Sequence, residues 1–231
     1  MTDSIRRTAV LFDLDGTLID SVYQHVIAWR TALEAVGIEV AVWTIHRKIG
    51  MSGGLFARAL LRETGLPITP DMATRLHDAH RDAFRDYAAT VRPLPGAVSL
   101  LERLTDLGVP WGIATSSHRE TAEGSLRMLH VAADVPVITR DRVARAKPDP
   151  DLVLAAAADV GVPIEDCVVV GDSVWDLLAA RRARALGVGL LSGGYGREEL
   201  ERAGAFRVYE DPADFLRHLD EVGIRDALPE I

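Results

Sequence analysis

Two aspartates stand two residues apart near the start of the chain, in the run Asp13-Leu14-Asp15-Gly16-Thr17. Side chains two residues apart on an extended backbone point to the same side, so we expect both carboxylates to face one site. Gly16 allows the chain to turn sharply directly after them. The run therefore predicts a pair of carboxylates at the point where a strand ends.

Three later segments carry polar groups of a matching kind. Thr115-Ser116-Ser117 offers hydroxyls and backbone N–H groups at the start of a predicted helix, which favours the binding of an anion. Lys147 is one of only two lysines in the chain and supplies a compact ammonium group. Asp172 precedes Asp176 by about one helical turn. Each segment follows a predicted strand, so these groups are expected at one edge of a sheet.

Together these groups indicate one kind of chemistry. Carboxylates that lie close together repel one another unless a cation lies among them, and oxygen ligands suit a hard cation such as Mg²⁺. The hydroxyls, the N–H groups and the ammonium suit the oxygens of a phosphate. A metal, a phosphate clamp and a free carboxylate together predict a phosphoryl-transfer site.

Short apolar runs alternate with helical patterns along the chain. We predict strands at Thr8–Phe12, Pro110–Ala114, Val135–Ile138, Cys167–Val170 and Val188–Leu191. We predict helices at Pro95–Leu107, His118–Leu129, Asp149–Val160 and Ser173–Ala185. Asp149 and Ser173 are expected to be N-caps. The alternation predicts an α/β fold with a Rossmann-like, doubly wound parallel sheet, in which ligands bind at the carboxyl ends of the strands.

The connection between the first two predicted strands is longer than a simple crossover needs. Most of it is typical of helices separated by glycines, and the predicted helices are Ser21–Val36, Ser52–Glu63 and Pro70–Ala88. We therefore predict a discontinuous core domain of residues 1–19 and 90–231, with an inserted α-helical cap domain of residues 20–89.

Composition excludes several classes of partner. The 231 residues carry a net charge of -8 and show no basic stripe, so we expect no nucleic acid partner. The single cysteine, Cys167, cannot form an internal disulfide, and we interpret it as a small core residue. The sequence has no signal-peptide pattern and no apolar run near the ~20 residues of a membrane span. We therefore expect a cytoplasmic protein with no membrane partner.

The four motifs, in this order and at strand ends, resemble those of the haloacid dehalogenase superfamily. The helical insert after the first strand is similar to the C1 caps of its phosphoglycolate phosphatase and β-phosphoglucomutase-like subgroup. The run Asp13–Ser21 resembles the phosphatases, and His25 with Trp29 resembles the first cap helix of the mutases. The resemblance covers nearly the whole chain. It implies a Mg²⁺-dependent phosphatase for a small phosphorylated metabolite, acting as a monomer or a small homo-oligomer.

The resemblance also implies roles for the carboxylates. Asp13 is expected to attack phosphorus and form an aspartyl-phosphate, and Asp15 to serve as acid and then base, a role that a raised pKa would suit. Mg²⁺ is expected on the Asp13 side chain, the Asp15 backbone carbonyl and Asp172. Asp176 is expected to support these ligands or to bind the ion indirectly.

Phosphate and substrate contacts follow from the same resemblance. The implied phosphate-binding residues are Thr115, Ser116 and Lys147. In the cap, we expect substrate contacts from four residues: His25, Arg47, Ser52 and Gly53. The histidine is also expected to help position the acid/base aspartate.

Relatives with other chemistry remain as alternatives. Dehalogenases and phosphonoacetaldehyde hydrolases lack the second aspartate, which is present here as Asp15, although Lys48 leaves a Schiff-base alternative in the cap loop. A β-phosphoglucomutase-like sugar phosphate mutase is the main rival. Such mutases usually carry a valine, an arginine and a glutamate where this chain has Thr17, Gly53 and Gly171, and loss of the arginine removes a bidentate phosphate clamp. An alternative of another class is a non-catalytic binding module with this fold.

Two further motifs are interpreted as structural. His77 and His80 lie on neighbouring positions of a predicted cap helix, and we expect a solvated face there because no third metal ligand is nearby in sequence. The run Gly193-Gly194-Tyr195-Gly196 follows the strand that we predict to be the last one. We interpret it as a rim loop and not as a dinucleotide fingerprint.

Overall fold

A computed structural model describes residues 8–51, 53–65 and 69–225. The strands in chain order are β1 (Ala9–Phe12), β2 (Ile19–Asp20), β3 (Arg92–Pro93), β4 (Trp111–Ala114), β5 (Val137–Ile138), β6 (Cys167–Gly171), β7 (Leu186–Leu190) and β8 (Ala205–Tyr209). Six of them form one parallel sheet in the order β5-β4-β1-β6-β7-β8. This sheet confirms the predicted α/β fold.

Strand β1 lies inside the sheet and pairs with β4 on one side and β6 on the other. All four of its residues are fully buried, which explains why the run is apolar without alternation. From β1 the chain builds outward through β4 and β5, and it then crosses back to add β6, β7 and β8. The strand order therefore reverses beside β1, and a reversal of this kind creates the crevice in which α/β proteins bind ligands.

Helices fill the remaining segments. They are α1 (Val22–Ala35), α2 (Val42–His46), α3 (Gly53–Thr64), α4 (Pro70–Tyr87), α5 (Ala97–Asp106), α6 (Arg119–Met128), α7 (Asp151–Val160), α8 (Val174–Ala183), α9 (Arg197–Ala203) and α10 (Pro212–Arg217). The first four form the helical insert, in which α1 packs along α4 over an apolar cluster that includes Trp29, Phe56 and Leu76. None of the helices in the described segments has the length and apolar character to cross a membrane.

The insert leaves and rejoins the sheet domain at one place. Strands β2 and β3 form a short antiparallel ribbon, with Ile19 opposite Pro93 and Asp20 opposite Arg92. The two connecting segments therefore lie side by side next to the end of β1. The domain boundaries at residues 19/20 and 89/90 stay a prediction.

Two details differ from the sequence-based expectations. The strand after α8 is not the last one, because β8 follows it and forms the sheet edge; Phe206 and Arg207 are exposed, so no apolar run marks this strand. Asp149 is not an N-cap, because helix α7 begins after Pro150 and the Asp149 side chain lies 3.5 Å from Arg182. The Ser173 cap is confirmed and forms a reciprocal capping box with Asp176.

Candidate active site

The polar motifs meet at the carboxyl ends of β1, β4 and β6. Asp13, Thr115 and Asp172 directly follow these three strands, and each side chain is at least 95% buried, with exposures of 5%, 1% and 3%. A cavity of about 640 Å³ opens over this edge of the sheet and is closed on the other side by the helical insert. Its walls include Asp13, Asp15 and Thr115 from the sheet domain and Trp29 and Phe56 from the insert.

Three carboxylates form the floor of the site. One oxygen from each of Asp13, Asp172 and Asp176 lies within 4.8 Å of the other two. The Lys147 ammonium, itself 1% exposed, contacts Asp13 and lies 2.8 Å from Oδ1 of Asp176. The sequence-based expectation that these residues converge is therefore met in the geometry.

Burial and crowding of these carboxylates shift their proton affinities. Burial raises the pKa of Asp13 to about 7, although the Lys147 ammonium opposes the shift. Burial, with the adjacent Asp176 and Asp13, raises the pKa of Asp172 well above its usual range. A single ammonium thus leaves this cluster short of positive charge. Its donors are buried carboxylate oxygens, so the cluster fits a divalent cation, which would offset the remaining repulsion.

Close backbone approach makes room for Asp172. A Cβ atom at Gly193 would lie 1.8 Å from its Oδ2 atom, and a Cβ at Gly16 would lie 2.5 Å from the same atom. Gly16 also has a φ of 89°, which favours glycine. The other oxygen, Oδ1, accepts a 2.7 Å hydrogen bond from the hydroxyl of Thr17. Asp172 is therefore held by the turn that follows β1.

Two serine hydroxyls hold Asp15, one on each carboxylate oxygen, and His25 lies beside it. Ser21 donates to Oδ1 and Ser117 donates to Oδ2, each over 2.7 Å, and Nε2 of His25 lies 3.3 Å from Oδ1. Burial would raise the pKa of this carboxyl, but His25 and the two serine hydroxyls outweigh burial and hold the pKa below its ordinary value. The acid role proposed for Asp15 would be favoured by a raised pKa, and this arrangement does not provide one. The reason is that the hydrogen bonds stabilise the carboxylate form of Asp15.

The predicted phosphate-binding loop follows β4 and touches the insert. The Thr115 hydroxyl accepts a 3.0 Å hydrogen bond from the Ser117 backbone N–H, which tightens the turn. The Ser116 hydroxyl donates over 3.1 Å to the carbonyl of Gly50 in the insert. Thr115 and Ser116 both line the cavity beside Asp13, and the roles of these residues and of Lys147 in binding phosphate stay a prediction.

The cap loop is placed differently from the expectation for Arg47. Its guanidinium pairs with Glu199 and lies 4.1 Å from the centre of the Tyr195 ring, and it is not among the described residues that line the cavity. The Tyr195 hydroxyl in turn donates to the Arg47 carbonyl over 2.8 Å. Lys48 and Gly50 do line the cavity. Gly53 begins α3, and Ser52 lies outside the described residues.

Sequence reasoning missed the environment of His80. His80 is 9% exposed, so the expectation of a solvated face is wrong for this residue, because α4 packs against α1 along this side. His80 lies 3.2 Å from His25 and stacks on Trp29. The spacing of His77, His80 and Phe84 on α4 gave a sign of a shared face, since residues three or four apart on a helix are neighbours.

Comparison with known proteins agrees with this fold. A family model described as haloacid dehalogenase-like hydrolase matches residues 8–184, and the chain belongs to this family. It is similar to a solved hydrolase from Pseudomonas syringae, with 56% identity, a TM-score of 0.91, and coverage of 93% of this chain and 99% of that one.

Characterised relatives include enzymes of both expected kinds. Hexitol phosphatase A of Escherichia coli (strain K12) is 32% identical, over 78% of this chain and 81% of the relative. Phosphoglycolate phosphatase of Rhodospirillum rubrum is 30% identical, over 96% of this chain and 98% of the relative. Beta-phosphoglucomutase of Bacillus subtilis (strain 168) is 29% identical, over 96% and 99%. The resemblance to the phosphatase and mutase subgroup is thus confirmed.

Proposed function

We propose that this protein is a Mg²⁺-dependent phosphatase that hydrolyses a small phosphorylated metabolite through an aspartyl-phosphate on Asp13. The observation that carries the proposal is the meeting of Asp13, Asp172 and Lys147 at one buried edge of the sheet, directly below a cavity that Asp15 also lines. Asp13, the Asp15 backbone carbonyl and Asp172 would hold the ion. When bound, Mg²⁺ supplies positive charge that offsets the charge of the carboxylates and of the phosphoryl oxygens.

Asp13 and Asp15 carry out the nucleophilic attack and the proton transfers. An oxygen of Asp13 attacks phosphorus, and Asp15 gives its proton to the oxygen of the leaving group. Asp15, then ionised and held by Ser21 and Ser117, removes a proton from the water that hydrolyses the aspartyl-phosphate. A phosphate dianion beside Asp15 raises the carboxyl pKa again, which supports protonation before the first step.

The cavity walls indicate the leaving group. Trp29 and Phe56 present aromatic surface, with ring centres 4.2 Å apart. Arg81, a lining residue, already donates to Asp78 over 2.8 Å. The aromatic surface favours a leaving group with C–H faces, such as a sugar or a polyol.

A histidine on this wall also has an acidic partner. His118 lies 2.5 Å from Asp141, and both residues line the cavity. The similarity of this chain to hexitol phosphatase A also supports a sugar or polyol phosphate. We therefore propose a sugar or polyol monophosphate as the substrate.

The second candidate function is a β-phosphoglucomutase-like mutase, which the similarity to the Bacillus subtilis enzyme favours. Two features of the chain support hydrolysis instead. A Cβ at Gly171 would lie 2.2 Å from the Cβ of Asp176, so this position has no room for the glutamate that mutases often carry. Gly53 provides no guanidinium for a second phosphate.

One experiment tests both candidates. Purified protein is incubated with hexose and hexitol monophosphates, phosphoglycolate, a hexose bisphosphate and p-nitrophenyl phosphate, with Mg²⁺ or with EDTA, and both inorganic phosphate and isomerised sugar phosphate are measured. We expect phosphate release that requires Mg²⁺, is fastest with a sugar or polyol monophosphate, and disappears in Asp13→Asn. Asp20→Asn is the matched control, because Asp20 is an exposed carboxylate next to the same turn. Isomerised product would indicate a mutase, and absence of any turnover would indicate a binding module.

A further inference from the structure

Two histidines continue the contacts of Asp15 into the helical insert. Nε2 of His25, on α1, lies 3.3 Å from Oδ1 of Asp15. The other ring nitrogen of His25, Nδ1, lies 3.2 Å from Nε2 of His80 on α4. The line of contacts therefore runs from the sheet domain through α1 to α4, and both imidazoles are buried, with exposures of 6% and 9%.

Aromatic rings hold this histidine pair on both sides. His25 stacks on Phe84 with ring centres 4.1 Å apart and planes 5° apart. His80 stacks on Trp29 at 4.2 Å and 20°. Burial, with the nearby His25 and His77, lowers the pKa of His80 well below its ordinary value, so this ring is neutral.

The chemistry of the groups defines which atoms carry hydrogen. An ionised Asp15 can only accept, so Nε2 of His25 must carry the hydrogen that faces it. A neutral His25 then has a bare Nδ1, which accepts from the Nε2–H of His80. If His25 takes up a proton, its Nδ1–H donates instead and a neutral His80 accepts in its other tautomer. His80 can therefore satisfy His25 in either state.

We propose that His80 is a positioning residue for the acid/base step, which holds the imidazole of His25 in the orientation and tautomer that keep Nε2–H beside Asp15, 3.3 Å from Oδ1. This inference rests on the proposed phosphatase function. Without His80, the buried Nδ1 of His25 has no partner in the part of the chain that the structure describes, and the ring gains by rotating or by moving its hydrogen to Nδ1. Asp15 then loses its contact with His25 but keeps the Ser21 hydrogen bond on Oδ1, while Asp13, Asp172 and Lys147 stay in place.

The proposal predicts an effect that depends on the leaving group. Alkyl phosphates need a proton from Asp15 as the ester bond breaks, whereas phosphates of acidic phenols do not. Values of kcat/KM are measured for wild type and His80→Phe over a series from an alkyl phosphate to phenyl phosphates of increasing phenol acidity. Phenylalanine keeps an aromatic ring on Trp29 and removes the hydrogen bond. We expect a loss of about tenfold or more with the alkyl phosphate, shrinking to less than about threefold with the most acidic phenol.

His80→Gln is the conservative variant, because an amide can donate or accept toward His25. We expect it to recover part of the loss with the alkyl phosphate. A loss in His80→Phe that is equal across the series would show a purely structural role and overturn the proposal, and so would failure of glutamine to recover more than phenylalanine. A wild-type enzyme without phosphatase activity would instead overturn the proposed function.

A second measurement does not depend on activity. ¹⁵N NMR of the full-length protein reports which ring nitrogen of His25 carries hydrogen. We expect one tautomer, with hydrogen on Nε2, in wild type and a mixture in His80→Phe. A single unchanged tautomer in the variant would overturn the inference even if the variant loses activity through altered packing.

Discussion

The hydroxyl of Thr17 donates a 2.7 Å hydrogen bond to Oδ1 of Asp172, 155 positions further along the chain. Both side chains are buried, at 0% and 3% exposure, and the bond joins the turn after β1 to the end of β6. The contact is thus part of the arrangement that brings Asp172 next to Asp13. It also gives a physical role to the threonine that stands where mutases usually carry valine.

Replacement of Thr17 by valine should weaken both the site and the fold. The variant keeps the shape of the side chain but leaves a buried carboxylate without its donor, and a hydrogen bond to a charged group contributes about 1.5–3 kcal/mol. We expect the free energy of unfolding to fall by about that amount and the Mg²⁺ concentration for half-maximal activity to rise. Urea unfolding and Mg²⁺ titration of phosphatase activity measure the two effects. Thr17→Ser is the control, since it keeps the hydroxyl; equal effects in both variants would contradict the role of the hydrogen bond.

Asp15→Asn should separate the two chemical steps. Asparagine can neither donate a proton to a leaving group nor remove one from water, so turnover should fall by about 10²–10⁴-fold. A p-nitrophenyl ester needs little help in the first step, so we expect a rapid release of one equivalent of phenolate followed by slow turnover. Stopped-flow absorbance detects the burst, and intact-protein mass spectrometry detects phosphate on the enzyme. The double variant Asp13→Asn/Asp15→Asn should show neither, and a burst in that protein would contradict Asp13 as the nucleophile.

The pKa of Asp13 predicts how metal-free stability changes with pH. Burial raises this pKa from 3.8 to about 7 in the folded protein, so the folded state holds the proton more tightly than the unfolded chain. The contribution to stability is complete below pH 3.8 and is lost as the pH rises through about 7. In EDTA, wild type should therefore lose stability relative to Asp13→Asn between pH 5 and pH 8. Urea unfolding of both proteins at several pH values measures the difference; a difference that stays constant would contradict the raised pKa.

Mg²⁺ should reverse this loss. The ion competes with protons for the carboxylates, so its stabilising effect should be larger at pH 8 than at pH 5. Thermal unfolding with and without Mg²⁺ at both pH values measures the change in Tm. Asp172→Asn should show a much smaller change, and a shift in that variant as large as in wild type would place the ion elsewhere.

Arg47 is predicted to act on cap placement and not on substrate choice. Its guanidinium pairs with Glu199 at the partly exposed contact between the cap loop and the first turn of α9, and an exposed pair of this kind contributes about 0.2–1 kcal/mol. Arg47→Ala should therefore raise KM by a similar small factor for every substrate in a panel. Steady-state kinetics with the single variants Arg47→Ala and Glu199→Gln and the double variant should show that the two effects are not additive. A change in the ranking of substrates would instead indicate direct contact with the leaving group.

The sequence by itself determined the fold class and which residues meet at the candidate active site. Buried parallel strands leave short continuous apolar runs in the sequence. Asp13, Thr115, Lys147 and Asp172 each follow such a run or lie in the loop after it, so their convergence followed from the rule that the carboxyl ends of parallel strands share one edge. Strand β8 was not predicted because it lies at the sheet edge. Its residues Phe206 and Arg207 are exposed, so the sequence of this strand has no continuous apolar run.

The tertiary structure alone decided which partners surround these residues. Whether His80 faces solvent or His25 depends on how α4 packs against α1, and whether Arg47 faces the cavity or Glu199 depends on where the cap loop meets α9. The pKa of Asp15 likewise depends on hydroxyls from two separate loops, Ser21 and Ser117. Local sequence encodes the type and spacing of side chains, whereas contacts between distant elements come from packing, which has no local signature.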